Sequence, residues 1–144
     1  MNLSKMDKTL NAIIIDDERM ARQELLRLLK KHPHINIVAQ AENIDQGYDE
    51  IEQHQPDIIF LDIEMPGGTG STLAEKLKGE IHIVFCTAYD EFAVDAFALN
   101  AVDYLVKPIV PERLAETISK FSEHEVTSEE ALLNDDFKLM VKFG

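Results

Sequence analysis

The chain has 144 residues, 45% of them apolar, with 6 Gly, 5 Pro and a single Cys; 27 acidic side chains against 14 Lys and Arg give a formal charge of −13. That length suits one domain able to bury a core without disulfide staples, and the composition excludes disordered and fibrous classes. Such an acidic balance repels phosphate backbones and anionic membranes, so this chain by itself is a poor nucleic-acid binder.

No stretch approaches the ~18 uncharged apolar residues of a membrane span, and the opening MNLSKMDKTLN lacks the apolar centre of a signal peptide. The lone Cys86 lies inside an apolar run, which excludes a disulfide framework and suggests a reducing compartment. A cytoplasmic domain is expected.

Five apolar runs alternate with helix-period segments. Ala12 to Ile15 forms the first and ends at Asp16-Asp17; Ala21, Leu25, Leu28 and Leu29 then share one helix face to about Lys31, where His32-Pro33 stops it. A second strand is expected from Ile35 to Ala39, followed by a helix carrying Ile44, Tyr48 and Ile51 and closed by Pro56. Ile58 to Leu61 is the third strand, ended by Asp62, and Leu73 and Leu77 mark a short helix with Gly79 as its C-cap. Ile81 to Cys86 is the fourth, ended by Thr87, with Phe92, Ala96 and Leu99 on the next helix. Val102 to Val106 is the fifth, ended by Lys107-Pro108; Pro111 suits the first turn of a last helix lined by Leu114, Ile118 and Phe121. Continuous β-branched runs alternating with amphipathic helices predict a parallel α/β sheet buried on both faces.

The tail changes character. Residues 122–136 carry six acids and no Lys or Arg, as a solvated linker would. Residues 137–143 then alternate with period two, like a half-buried strand. One strand is not a domain, so it either joins the sheet edge or opens a second, β-containing domain; the linker composition favours the second. The expected organisation is an extension at 1–9, a domain at 10–121, a linker at 122–136 and the start of another domain at 137–144.

The polar residues ending the strands carry the chemistry. In an open parallel sheet the carboxyl ends of the strands form the ligand crevice where strand order reverses. Asp16, Asp17, Asp62, Thr87 and Lys107 are therefore expected to converge there. A single Asp after a strand is ordinary turn chemistry; the set occurring in order is not. Three neighbouring carboxylates repel one another unless a cation joins them, and Mg²⁺ suits an oxygen-rich site that leaves room for water and phosphate.

These residues resemble the receiver domain of two-component response regulators over about residues 10–121. The matching pieces are Ile14-Ile15-Asp16-Asp17-Glu18, Leu61-Asp62-Ile63-Glu64-Met65-Pro66 with Gly70, Thr87-Ala88, and Asp103-Tyr104-Leu105-Val106-Lys107-Pro108. The segment Thr87-Ala88-Tyr89-Asp90-Glu91-Phe92-Ala93-Val94-Asp95-Ala96-Phe97 and the short run to Lys107 look like the LytTR (LytR/AlgR) subgroup.

The resemblance implies a flavodoxin-like (βα)5 doubly wound sheet in strand order 2-1-3-4-5. It implies Asp62 as phosphoacceptor from a sensor histidine kinase. Asp17, Asp16, Asp62 and the backbone carbonyl of Glu64 would hold Mg²⁺. Thr87, Ala88 and Lys107 would bind the phosphoryl group, Thr87 and Tyr104 would form the switch, and the Lys107–Pro108 peptide would be cis. It further implies phosphorylation-dependent homodimerisation and control of a DNA-binding domain C-terminal to the receiver, with no membrane partner. Glu64 and Tyr89 lie where receivers tune the lifetime of the phosphoryl group. Two departures stand out: the stretch from Asp62 to Thr87 is a few residues short, and Gly68 stands where a larger apolar residue is usual.

Three rival readings compete with this one. Asp62-Ile63-Glu64 superficially echoes the DxD motif of Mg²⁺-dependent aspartate-nucleophile phosphatases, but the chain lacks length for a substrate cap. A flavin or nucleotide site needs a donor-rich loop after the first strand, where Asp16-Asp17-Glu18 would repel phosphate. A phosphorylation-independent interaction domain would have no need of the full acidic set. On the first helix, Arg19, Arg22, Gln23 and Arg27 read as solvated surface or a kinase contact.

Overall fold

The computed structural model describes residues 9–65, 68–77, 81–88 and 101–121. Its main sheet holds β1 (Leu10–Ile15), β2 (Ile35–Ala41), β3 (Ile58–Leu61), β4 (His82–Thr87) and β5 (Asp103–Val106). All neighbours pair in parallel, in the order β2-β1-β3-β4-β5. Helices α1 (Arg19–Leu29), α2 (Ile44–His54), α3 (Gly70–Leu77) and α4 (residues 111–121) accompany it. This is the expected flavodoxin-like arrangement.

Period-two alternation on the central strands divides the core into two layers. Ala12 and Ile14 of β1 face one side with Ile58, Phe60, Val84 and Leu105, covered by Leu25, Leu28 and Leu29 of α1 and Leu114, Ile118 and Phe121 of α4. Ile13 and Ile15 face the other with Ile59, Leu61, Ile83 and Phe85, covered by Ile51 of α2 and Leu73 and Ala74 of α3. Burial on both faces is why these strands read as unbroken apolar runs.

Element ends differ from expectation by a residue or two, for local reasons. Helix α1 stops at Leu29 because its last amides tighten to i→i+3 partners, with Lys30 N–H donating to the Arg27 carbonyl and His32 N–H to that of Leu29. Helix α2 opens on Asn43, whose side chain accepts from the Gln46 amide, while the Gln46 side chain accepts from the Glu42 amide. This reciprocal cap sits at a start the apolar spacing marks only through Ile44. Strand β2 runs two residues past Ala39, because Ala41 still pairs with Ile15. Thr87 is the last residue of β4, not the first beyond it.

Between β3 and α3, Glu64–Met65 and Gly68–Thr69 pair as a two-residue antiparallel ribbon. Helix α3 is described from Gly70 to Leu77, and residues 78–80 lie outside the described ones. The helix expected around Phe92, Ala96 and Leu99, the Gly79 cap, Tyr89, all but the last residue of the extension expected at 1–9, and the linker and last strand expected at 122–136 and 137–144 lie outside the described residues. No helix among the described residues is long and apolar enough to cross a membrane.

Candidate functional site

Strand order reverses at β1, which leads to β2 on one side and has β3 on the other. Connections after β1 and β3 therefore diverge and leave a crevice at the strands' carboxyl ends. Asp16 and Asp17 leave β1 there, and Asp62 leaves β3. Backbone ladders carry both strands to the edge of the crevice: the Asp62 amide donates to the Ile15 carbonyl at 3.0 Å, and the Asp16 amide to the Ala41 carbonyl at 3.0 Å. One oxygen from each of Asp16, Asp17 and Asp62 lies within 4.8 Å of the others.

Two of these carboxylates are buried, Asp16 at 4% exposure and Asp62 at 6%. Lys107, just beyond β5, meets them with Nζ at 2.7 Å from Asp16 Oδ2, 3.2 Å from Asp62 Oδ2 and 3.7 Å from Glu18 Oε1. The Lys107 amide donates to the Thr87 carbonyl at 2.8 Å, which extends the β4–β5 pairing to the crevice. The Lys107–Pro108 peptide is cis.

Burial pushes the Asp62 carboxyl above its ordinary value; the Lys107 charge pulls the other way, Asp16 adds to the rise, and hydrogen bonds from Lys107 and Thr87 oppose it. Burial alone would lower the Lys107 ammonium, but its hydrogen bond to Asp16 and the charges of Asp16 and Asp62 outweigh that and hold it above normal. Lys107 is thus a fixed cation at ordinary pH. Cys86, one residue before Thr87, is fully buried; burial raises its thiol far beyond reactivity, and it serves as core.

Thr87 is wholly buried and hydrogen-bonds Asp62. Ala88 follows it and is exposed. Tyr104 pairs in register with Phe85, two residues short of the Thr87–Val106 pair, and its half-buried ring lies 6.2 Å from that of Phe85. Glu64 sits in the short ribbon two residues past Asp62. The structure thus gathers Asp16, Asp17, Asp62, Thr87 and Lys107 in one place, with Ala88 and Tyr104 at its β4–β5 margin.

Three carboxylates with converging oxygens in a crevice fit a hard divalent cation. The partly buried ammonium of Lys107 offsets part of their mutual repulsion and leaves acidic charge in excess.

One participant was not legible as such. Arg22 of α1, grouped above with solvated side chains, is half-buried and donates from Nη1 to the Asp16 carbonyl at 2.7 Å. Arg19, Gln23 and Arg27 are exposed, and Arg27 pairs with Glu24. The missed signal is position: Arg22 lies one turn into the helix that follows the acidic pair, within reach of the turn behind it.

Residues 12–119 match the response regulator receiver domain family. An uncharacterized response regulatory protein of Vibrio cholerae is 47% identical over 113 residues, covering 77% of this chain and 48% of that protein. The sensory transduction protein LytT of Bacillus subtilis is 42% identical over 115 residues, covering 78% of this chain and 48% of that protein. The chain spans about half the length of these curated relatives. Among solved structures, the REC domain of AraT, a response regulator from Geobacillus stearothermophilus, superimposes with a TM-score of 0.74 at 30% identity, covering 84% of this chain and 98% of that one.

Proposed function

The chain belongs to the response regulator receiver domain family, and on that premise we propose that it accepts a phosphoryl group on Asp62 from a phosphohistidine of a sensor kinase. The observation that carries this reading is the buried Asp62 carboxylate with Asp16 and Asp17 oxygens within 4.8 Å and the Lys107 ammonium 3.2 Å away. A carboxylate oxygen of Asp62 forms the new O–P bond as the P–N bond of the donor breaks, and the imidazole nitrogen leaves with the electron pair. Phosphoryl transfer needs positioning and charge stabilisation more than proton transfer, so no general base is required.

Asp17, Asp16, Asp62 and the Glu64 carbonyl would hold Mg²⁺. When bound, the ion screens charge on the phosphoryl oxygens. Lys107 supplies a second cation to those oxygens, and its raised proton affinity keeps it charged for that role. Thr87 and the Ala88 backbone would receive the remaining oxygens.

The phosphoryl group then acts as a switch. Its added oxygens and charge draw the Thr87 hydroxyl away from its present bond, and the Tyr104 ring turns into the space released. This is a population shift between two packings of one fold. It favours a homodimer and, through it, a LytTR-type DNA-binding unit C-terminal to the linker at 122–136. The reading makes the receiver a cytoplasmic signalling acceptor that turns over only its own phosphoryl group.

Intact mass after incubation with acetyl phosphate and Mg²⁺ tests the acceptor. One phosphoryl group is expected on the wild type, none with EDTA and none on Asp62→Asn. No gain in the wild type would move the function to a phosphorylation-independent interaction domain.

A further inference from the structure

We propose that Arg22 is a positioning residue for the divalent-cation site, acting through the Asp16 carbonyl that it holds. The inference rests on the cation reading above.

The turn after β1 has few anchors of its own. The sheet satisfies the Ile15 carbonyl and the Asp16 amide, and at Asp16 the ladder ends. Beyond it, three side-chain contacts converge on this one residue. Asp16 Oδ1 accepts from the Glu18 amide at 2.9 Å, Oδ2 accepts from Lys107 at 2.7 Å, and the carbonyl accepts from Arg22 at 2.7 Å. The first two orient the Asp16 carboxylate. Among the described residues only the third acts on the peptide plane between Asp16 and Asp17, and that plane sets where the Asp17 carboxylate points. Glu18, the N-cap of α1, makes no side-chain cap, so the Arg22 bond is also a tie between the helix start and the turn.

The guanidinium suits this task. Its planar fork gives a directional bond to a carbonyl. Outer contacts that orient a ligand typically cost about 10–100-fold in metal affinity when removed.

Charge and positioning predict opposite signs. A guanidinium near a cation site repels the cation, so charge alone makes Arg22→Gln bind Mg²⁺ more tightly. Loss of the carbonyl anchor makes it bind more weakly.

The experiment is calorimetric titration of Mg²⁺ alone into the folded chain, for wild type, Arg22→Gln and Arg22→Lys, with the Asp17 amide resonance followed without metal. We expect one site in the wild type, about tenfold weaker binding in Arg22→Gln, a smaller loss in Arg22→Lys, and a shifted Asp17 amide in both. Affinity unchanged or tightened in either folded variant overturns the inference while leaving the cation site standing. A wild type that takes up no Mg²⁺ overturns the cation reading and this inference together.

Discussion

Arg113 of α4 grips Asp103 of β5 with both arms of its guanidinium, Nη2 at 2.6 Å from Oδ1 and Nη1 at 2.9 Å from Oδ2. Thr117 Oγ1 donates to the same carboxylate at 2.6 Å, Lys120 Nζ approaches it to 3.0 Å, and the Tyr104 amide donates at 2.8 Å. Burial works against the charge on Asp103, but these donors outweigh it and hold the carboxyl far below the usual carboxylate range. The network ties the last helix to the strand that carries Tyr104 and leads into Lys107.

A depressed carboxyl stabilises the fold at pH values above the unfolded-state pKa, near 3.8, and that stabilisation disappears as pH falls toward the folded value, because the unfolded chain takes up the proton first. Asp103→Asn is expected to cost about 1.5–3 kcal/mol at pH 7, the range for bonds to a charged group. Urea unfolding of both proteins checks this, with the gap between their midpoints narrowing below about pH 4. A gap independent of pH would show that the ionised carboxylate contributes nothing.

Gln55 caps α2 in the left-handed region, with φ 45° and ψ 63°, where its amide donates to the Ile51 carbonyl at 2.7 Å. A Cβ is strained there and glycine is not. Gln55→Gly is expected to raise stability by about 0.5–1 kcal/mol, seen as a higher urea midpoint with an unchanged slope. A loss would mean that the Gln55 side chain makes a compensating contact.

Much of this molecule was legible because burial on two faces leaves a simple trace. Ile13-Ile14-Ile15 and Ile58-Ile59-Phe60-Leu61 are apolar without interruption, so the first charged residue after each marks where the strand leaves the core. That locates Asp16 and Asp62. Lys107 follows the same rule on β5. Helix periodicity, in contrast, reports only which face of a helix its Cα atoms occupy. Arg22 stands three residues before Leu25 and seven before Leu29, at the edge of the apolar stripe, where a charged side chain reads as the start of the solvated face, yet its long side chain returns to the turn behind it. Asp103 and Arg113 belong to different elements, and no local pattern links an acid at a strand start to a base ten residues on.

Gly47 is another position that spacing alone does not explain. A Cβ placed there would lie 2.9 Å from Ile15 Cδ1, and Ile15 is fully buried beside the crevice. Glycine thus lets α2 approach β1 closely. Alanine gains about 1 kcal/mol of helix preference over glycine, which offsets the shift asked of one methyl group. Gly47→Ala is therefore expected to be nearly neutral, whereas Gly47→Val overpacks and costs about 1–3 kcal/mol. Trimming the neighbour tests the cause: Ile15→Val should soften the Gly47→Val penalty in a double-mutant cycle, and strict additivity would place the clash elsewhere.

Lys107 bridges two buried carboxylates, so its removal separates charge from phosphoryl chemistry. In Lys107→Met, Asp16 and Asp62 lose the ammonium that their Oδ2 atoms share. Without metal, the acid cluster then repels itself, and thermal stability in EDTA should fall below wild type. Added Mg²⁺ should restore more stability to the variant than to the wild type, because the cation no longer competes with a resident ammonium; ligand at a hundred times its Kd contributes about 2.7 kcal/mol. Labelling by acetyl phosphate should nevertheless slow by about a hundredfold, the usual cost of removing one donor to the transferring oxygens. Tighter Mg²⁺ binding together with slower labelling assigns Lys107 to the phosphoryl group. Labelling at the wild-type rate would confine it to a structural counter-charge.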